Sequence, residues 1–518
     1  MLSGLLVRAL RLSPRSTTGL LSISSRVPLP CLRQTTPNCT PISTLSRPRL
    51  CPSYFSGFSP SRPTPSLTAK SAPKQQQQHS PRFFSSNNGG AYGQQTAAQQ
   101  LPVLSPPAVG NWLLLSSTLV IAVIVVGGVT RLTESGLSIT EWRPITGVLP
   151  PLSLTEWEDE FEKYKATPEF RLLNSRMSLD DFKSIYYMEW GHRMLGRTIG
   201  LAFVLPLGYF ALRRRLARSL RTPLLGLATL LGAQGVLGWY MVQSGLEPAN
   251  FTADGAVPRV SQYRLAAHLG AALVLYAGMF AAAFAVKDDW RFARQGTWGR
   301  LVDGRSWEEV LRNPVVRRFK VHAAVVTGLV LLTALSGAFV AGLDAGLMYN
   351  EFPLMNGRLA PPLSELLSPH YATAAATTTD NNSSTGLWRN FFENPTTVQF
   401  DHRVLATTTY FATALLFASS RRAAIRAALP PLALRTTTAL FLMANVQVAL
   451  GISTLLYLVP VPLAAAHQAG SVMLLTAAIH VLLALRRPGA AALAWRQANL
   501  ARRAGATATT ARESPKLM

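Results

Sequence analysis

Eight apolar stretches of near-spanning length, at 111–131, 193–212, 222–243, 263–286, 320–342, 402–419, 432–457 and 464–485, constrain this chain more than any other feature. A helix needs about 20 residues to cross the hydrocarbon core, and inside it only helices and closed barrels satisfy every backbone N–H and C=O. No extended polar/apolar alternation suggests a barrel. The chain therefore reads as an all-α membrane protein with eight transmembrane helices. Composition agrees: 14% of the 518 residues are charged, against about a quarter in a soluble domain. The net charge of +25 does not point to nucleic acid, because the Arg residues gather in the N-terminal region and in short loops between apolar runs. Membrane topology accounts for that distribution.

Residues 1–109 are rich in Ser, Pro, Arg and Gln, and the first acidic residue of the chain is Glu134. That is the composition of a mitochondrial transit peptide rather than a secretory signal. Arg82-Phe83-Phe84-Ser85 places cleavage after Phe84, giving a transit peptide at 1–84 and a disordered matrix segment at 85–109. A merely disordered N-terminal tail is the alternative. Cys31, Cys39 and Cys51, the three cysteines, all lie in this leader. The mature chain is then expected to carry no disulfide, thiolate zinc site or iron–sulfur cluster.

Basic residues set the orientation. Arg213 to Arg215, Arg218 and Arg221 follow the second run; Arg317, Arg318 and Lys320 precede the fifth; Arg421, Arg422 and Arg426 follow the sixth; Arg486 and Arg487 follow the eighth. Such loops face the side of insertion, so the protein is placed in the mitochondrial inner membrane, multi-pass, with both termini in the matrix. Loops 132–190 and 343–400 then face the intermembrane space, the first of them acidic through Glu156, Glu158, Asp159, Glu160 and Glu162.

The chain repeats itself. Gly127-Gly128-Val129-Thr130 through Gly136-Leu137 is similar to Gly337-Ala338-Phe339-Val340 through Gly346-Leu347, and His192-Arg193-Met194-Leu195 to His402-Arg403-Val404-Leu405, both 210 positions on. Gln234 to Gly238 pairs with Gln447 to Gly451, and Ala266-Ala267-His268 with Ala465-Ala466-His467. Two parallel-repeat four-helix bundles are implied. They occupy 110–286 and 320–487, joined by a matrix linker at 287–319 and followed by a matrix tail at 488–518. Loop 371–385 is low in complexity and reads as disordered.

His192, His268, His402 and His467 are the duplicated histidines, each near the start of an even-numbered run. All four fall toward the intermembrane-space face. Two imidazoles on the second and fourth helices of one bundle suit a haem iron between them. Zinc would want three or four ligands close together. Arg193, Arg197 and Arg403 lie near these histidines as partners for haem propionates, with interfacial anchoring the alternative for each. His79, His322, His370 and His480 break the repeat and receive no ligand role. Glu189 stands three residues before His192, whereas Gln399 stands three before His402. One half keeps a carboxylate and the other an amide that cannot exchange a proton. The first half is therefore the candidate reaction site and the second an electron-transfer or structural haem site, with a helix cap the alternative role for Glu189.

These motifs resemble a known family. Gly127 through Ile139, Glu189-Trp190-Gly191-His192-Arg193, and Gln234 to Gly238 with Ser244-Gly245-Leu246 are similar to the motifs of haem A synthases, over about Gly110 to Arg487. With the transit peptide, the chain resembles the mitochondrial, cytochrome oxidase assembly branch. The resemblance implies oxidation of one methyl group of haem O to a formyl group, giving haem A. It implies that His192 and His268 flank the substrate haem O, that His402 and His467 hold a haem b cofactor, and that Glu189 is the essential glutamate. It also implies a ferredoxin-type electron donor. Haem O synthase and oxidase assembly factors are further partners, and a homo-oligomer is left open. Several family members carry a cysteine pair in the first outer loop, but this chain has none between Arg131 and Glu189.

Two other classes compete. A dihaem b-type electron carrier or quinol oxidoreductase usually places haems toward both faces, whereas these four histidines share one. A haem transporter would not need Glu189 and would be expected to show inverted repeats.

Overall fold

The computed structural model describes residues 101–143, 146–247, 259–301, 304–373 and 386–513. The transit peptide with its cleavage site and cysteines, His79, residues 85–100 and loop positions 374–385 lie outside the described residues.

Helix α1 (Pro107–Leu132) opens with Pro at its first position, where a missing N–H costs nothing. The segment after it forms α2 (Leu154–Lys165) and α3 (Pro168–Leu172). Helix α4 (Leu179–Leu212) begins at a Ser178–Asp181 capping box, well before the apolar run it contains. Its first turns are amphipathic: Phe182 and Tyr186 pack with Trp157, Phe161 and Tyr164 into a small aromatic core outside the main one. Then come α5 (Arg218–Gly245) and α6 (Gln262–Gln295), the latter stopped by Gly296 at φ +74°. The connection contains α7 (Trp307–Arg312) and leads to α8 (Pro314–Gly342).

The segment after α8 carries the short α9 (Leu363–Leu366), α10 (Pro369–Thr373) and α11 (Asn390–Glu393). Asn394 caps α12 (Pro395–Arg421), followed by α13 (Ala423–Ala428), α14 (Pro431–Leu456) and α15 (Val461–Ala484). A final helix, α16 (Ala490–Glu513), occupies the tail. It packs on α6, where Asn499 donates to the Ala293 carbonyl at 3.0 Å, and Trp495 Nε1 donates to the carbonyl of Pro102, ahead of α1, at 2.8 Å.

Among the described residues seven helices are long and apolar enough to cross a membrane: α1, α4, α5, α6, α8, α14 and α15. The eighth expected span is α12. Its 27 residues would reach about 40 Å, but it is diluted by threonines and falls short in apolarity. Those hydroxyls are absorbed locally: Thr413 donates to the Thr409 carbonyl at 2.8 Å, and Thr409 meets Thr333 of α8 at 2.7 Å.

Helices α1, α4, α5 and α6 pack in a ring of neighbours, as do α8, α12, α14 and α15. The two rings meet where α6 faces α8 and α1 faces α15. At that seam Gln468 Nε2 donates to the Ile124 carbonyl at 3.0 Å, and Tyr276 meets Thr476 at 2.5 Å. Large side chains such as Leu201, Leu205, Leu225, Val274, Val321 and Leu415 stay exposed, a belt that a bilayer would cover.

Candidate functional site: two histidine pairs

His268, His402 and His467 sit within the first two or three turns of α6, α12 and α15. His192 lies deeper in α4 only because that helix starts at Leu179. The fold brings His192 and His268 within electrostatic reach of one another, and likewise His402 and His467.

Each ring rests on a glycine of the neighbouring helix. A Cβ built on Gly127 would stand 2.7 Å from Cε1 of His192, one on Gly337 3.3 Å from that of His402, and one on Gly451 2.8 Å from that of His467. Gly238 faces His268 more loosely, at 3.7 Å. The seats lie on α1, α8, α14 and α5 in turn, so each bundle presents two imidazoles held edge-on by helices lacking a side chain there.

The rings differ in what their Nδ1 atoms touch. Those of His192 and His268 are buried with no partner. His402 Nδ1 is 2.7 Å from the Ser336 hydroxyl, which donates its own proton to the Thr333 carbonyl at 2.8 Å. A hydroxyl has one proton to give; with that proton on the Thr333 carbonyl, His402 donates from Nδ1 to Ser336, the tautomer that leaves a lone pair on Nε2. His467 Nδ1 is 3.2 Å from Gln447 Nε2, an amide that also donates to the His467 carbonyl at 2.9 Å. Coordination through Nε2 of His467 requires that amide to turn over, trading the carbonyl bond for a donor to Gln447 Oε1, which is buried without a partner. None of the four Nε2 atoms makes a hydrogen bond among the described residues. Two buried imidazoles per bundle, their rings in glycine seats and their Nε2 atoms without a hydrogen bond among the described residues, fit a haem ligated from both sides.

Glu189 is 3% exposed and held at both oxygens. Oε2 accepts from the Ser138 hydroxyl and the Ile139 N–H, both at 2.8 Å; Oε1 accepts from Arg193 at 2.6 and 3.1 Å. It is no helix cap, since α4 starts ten residues earlier. Arg193 further donates to the carbonyls of Ile139 at 2.9 Å and Glu141 at 3.1 Å. The second half has a similar clamp: Arg403 and Tyr349, each 210 positions after Arg193 and Ile139, are joined by a bond to the Tyr349 carbonyl at 2.9 Å, and Arg403 also donates to the Leu354 carbonyl at 3.0 Å. There Gln399 Nε2 donates to the Tyr349 carbonyl at 3.2 Å. The carboxylate/amide difference thus decides which backbone group of the loop is gripped. Arg193 has most of its five N–H donors engaged, while Arg403 keeps Nε buried without a partner. Arg197 donates to the Arg143 carbonyl at 2.9 Å.

A second carboxyl was not marked by its sequence context. Glu169 of α3 is 3% exposed, with Oε2 lacking a partner. Burial, helped by the charges of Glu189 and Glu134, pushes its pKa up to about 8. His480, given no ligand role, packs its ring 4.5 Å from Phe284 and 4.9 Å from Phe280.

Fold and site together define a polytopic helical membrane protein with two buried imidazole pairs. Residues 110–479 match the family described as cytochrome oxidase assembly protein, and the chain belongs to that family. Its relatives include a haem A synthase–mitochondrial ferredoxin fusion protein of Schizosaccharomyces pombe, 48% identical over 68% of this chain. The match covers 56% of that protein, so the chain spans little more than half its length. The haem A synthase of Saccharomyces cerevisiae is 42% identical over 71% of this chain and 73% of its own. That of Homo sapiens is 46% identical over 70% and 79%.

Proposed function

We infer that the protein is a haem A synthase of a mitochondrial membrane, an enzyme that converts haem O to haem A. What carries this reading is the presence of two buried imidazole pairs in a chain 42–48% identical to haem A synthases.

In this reading α12 is the eighth span, and the rings α1/α4/α5/α6 and α8/α12/α14/α15 are parallel repeats at 110–286 and 320–487. The linker 287–319 and tail 488–518 lie in the matrix with both termini, residues 1–84 are the transit peptide, and the histidine ends face the intermembrane space. His192 and His268 take substrate haem O; His402 and His467 hold haem b. Bound haem supplies the oxygen and electron chemistry.

The chain's own residues position and balance charge. Glu189, fixed by Ser138, Ile139 and Arg193, has two uses: stabilising positive charge that develops on the substrate methyl, and passing a proton through the Ser138 hydroxyl. Its grip, with that of Arg193, also fastens the loop after α1 to α4. Arg403, with donors in reserve, suits a propionate better than Arg193 does, and Arg197 is the cation for the substrate side. A ferredoxin is the proposed electron donor, supported by the fission-yeast relative in which one is fused to the synthase.

The test is the haem content of purified protein, by extraction and chromatography, for wild type and Glu189→Ala. Haem B with haem O or haem A in wild type, and no haem A in the variant, is expected. Haem B alone in both, with quinol oxidation, would overturn the reading in favour of a dihaem electron carrier.

A further inference from the structure

The two halves share histidines, glycine seats and arginine clamps, yet differ at one position per pair that no ligand requirement explains. Ser336 immediately precedes the seat Gly337; in the first half Val126 precedes the seat Gly127. The hydroxyl takes the Nδ1 proton of His402 at 2.7 Å. Valine offers no acceptor, and the Nδ1 atom of His192 is buried and orphaned.

We propose that Ser336 is a positioning residue that makes the second pair the permanent haem site, and that Val126 keeps ligation in the first half exchangeable. This rests on the haem reading above. A ligating histidine almost always gives its second ring proton to an acceptor, which fixes the tautomer, orients the ring and raises the basicity of the ligating nitrogen. Ser336 is placed to do this for His402: the Thr333 carbonyl 2.8 Å away can take the hydroxyl's own proton and leave its oxygen to accept from Nδ1. The His192 ring has no such instruction. It can carry its proton on either nitrogen, and one of the two tautomers has no lone pair at Nε2. A cofactor site profits from the first arrangement, and a site that must receive substrate and release product profits from the second.

The experiment uses the purified full chain with Ser336→Ala, Ser336→Thr, Val126→Ser and His402→Ala. Three quantities are read: haem B content, the midpoint potential of the haem b signal, and the rate of haem loss to apomyoglobin. Ser336→Ala is expected to raise the potential, since the axial ligand becomes a weaker donor, and to weaken haem b retention about 10- to 100-fold. Ser336→Thr, which keeps the hydroxyl, is expected to restore both. Val126→Ser is expected to slow haem loss from the first half while leaving the haem b potential unchanged. Wild-type potential and loss rate in Ser336→Ala would overturn the inference, and so would unaltered loss from the first half in Val126→Ser. Should His402→Ala retain haem B with a wild-type spectrum, the haem assignment itself fails, whatever the serine variants do.

Discussion

A histidine ring lying against a glycine leaves no slack. At Gly127 an added Cβ would stand 2.7 Å from the His192 ring, so the ring must retreat by most of an ångström. Misplacement on that scale costs about 100-fold in a reaction that depends on orientation. Gly127→Ala is therefore expected to lower haem A formation about 100-fold while haem B content stays at wild type. Gly337→Ala, with 3.3 Å available, disturbs the second pair less. Chromatography of extracted haem separates the two effects; equal loss of both haems in Gly127→Ala would count against a seat specific to one pair. The four histidines and Glu189 were legible in the sequence because duplication made them stand out. Their seats were not, since a glycine that faces a ring looks like any other helix glycine until two helices are paired. The signal was nonetheless present in the recurrence of Gly127 and Gly337 at the same 210-residue interval as His192 and His402. The Nδ1 partners were hidden for another reason: the Ser336/Val126 difference falls on an unremarkable apolar helix face.

At the scale of elements, the apolar runs mark the seven helices long and apolar enough to span, but not their ends, because amphipathic turns beyond an apolar run look like loop. Helix α4 begins at Leu179, whereas its apolar run begins near 193, and the extra turns are what α2 and α3 pack upon. The tail helix α16 has no apolar run to mark it, and threonines dilute the apolar run of α12. The α2–α3 cap contains Glu169, whose pKa of about 8 lies above its ordinary 4.5. A carboxyl raised by burial favours the folded cap in its neutral form. That contribution is complete below about pH 4.5 and is lost as pH rises toward about 8. Hydrogen exchange over residues 154–172 is expected to quicken across that window, after correction for intrinsic rates. Glu169→Gln should flatten the dependence and protect the cap at pH 8. An unchanged profile in that variant would show that Glu169 does not govern the cap.

At the scale of the whole molecule, the two rings of helices are joined by a close approach as well as by apolar packing. A Cβ on Gly128 would overlap the Gln468 side chain outright, whose amide also donates to the Ile124 carbonyl at 3.0 Å. Helix α1 thus offers adjacent glycines to two masters: Gly127 to the histidine of its own ring, Gly128 to the glutamine reaching across from α15. Gly128→Ala must displace that amide and break its bond, costing about 1 kcal/mol for the hydrogen bond and more if the carbonyl stays unmet. Gln468→Ala loses the same bond but opens the space. If the close approach is what couples the halves, the double variant should be scarcely less stable than Gln468→Ala alone, because the alanine then enters a vacancy. The apparent unfolding midpoint in detergent, followed for all three variants, reads this directly. Strict additivity of the two substitutions would instead mean that Gly128 matters for α1 itself and not for the seam. Non-additivity would place the join one residue from the seat of the His192 ring, so that strain in the packing of the halves and the position of His192 are borne by the same turn of helix.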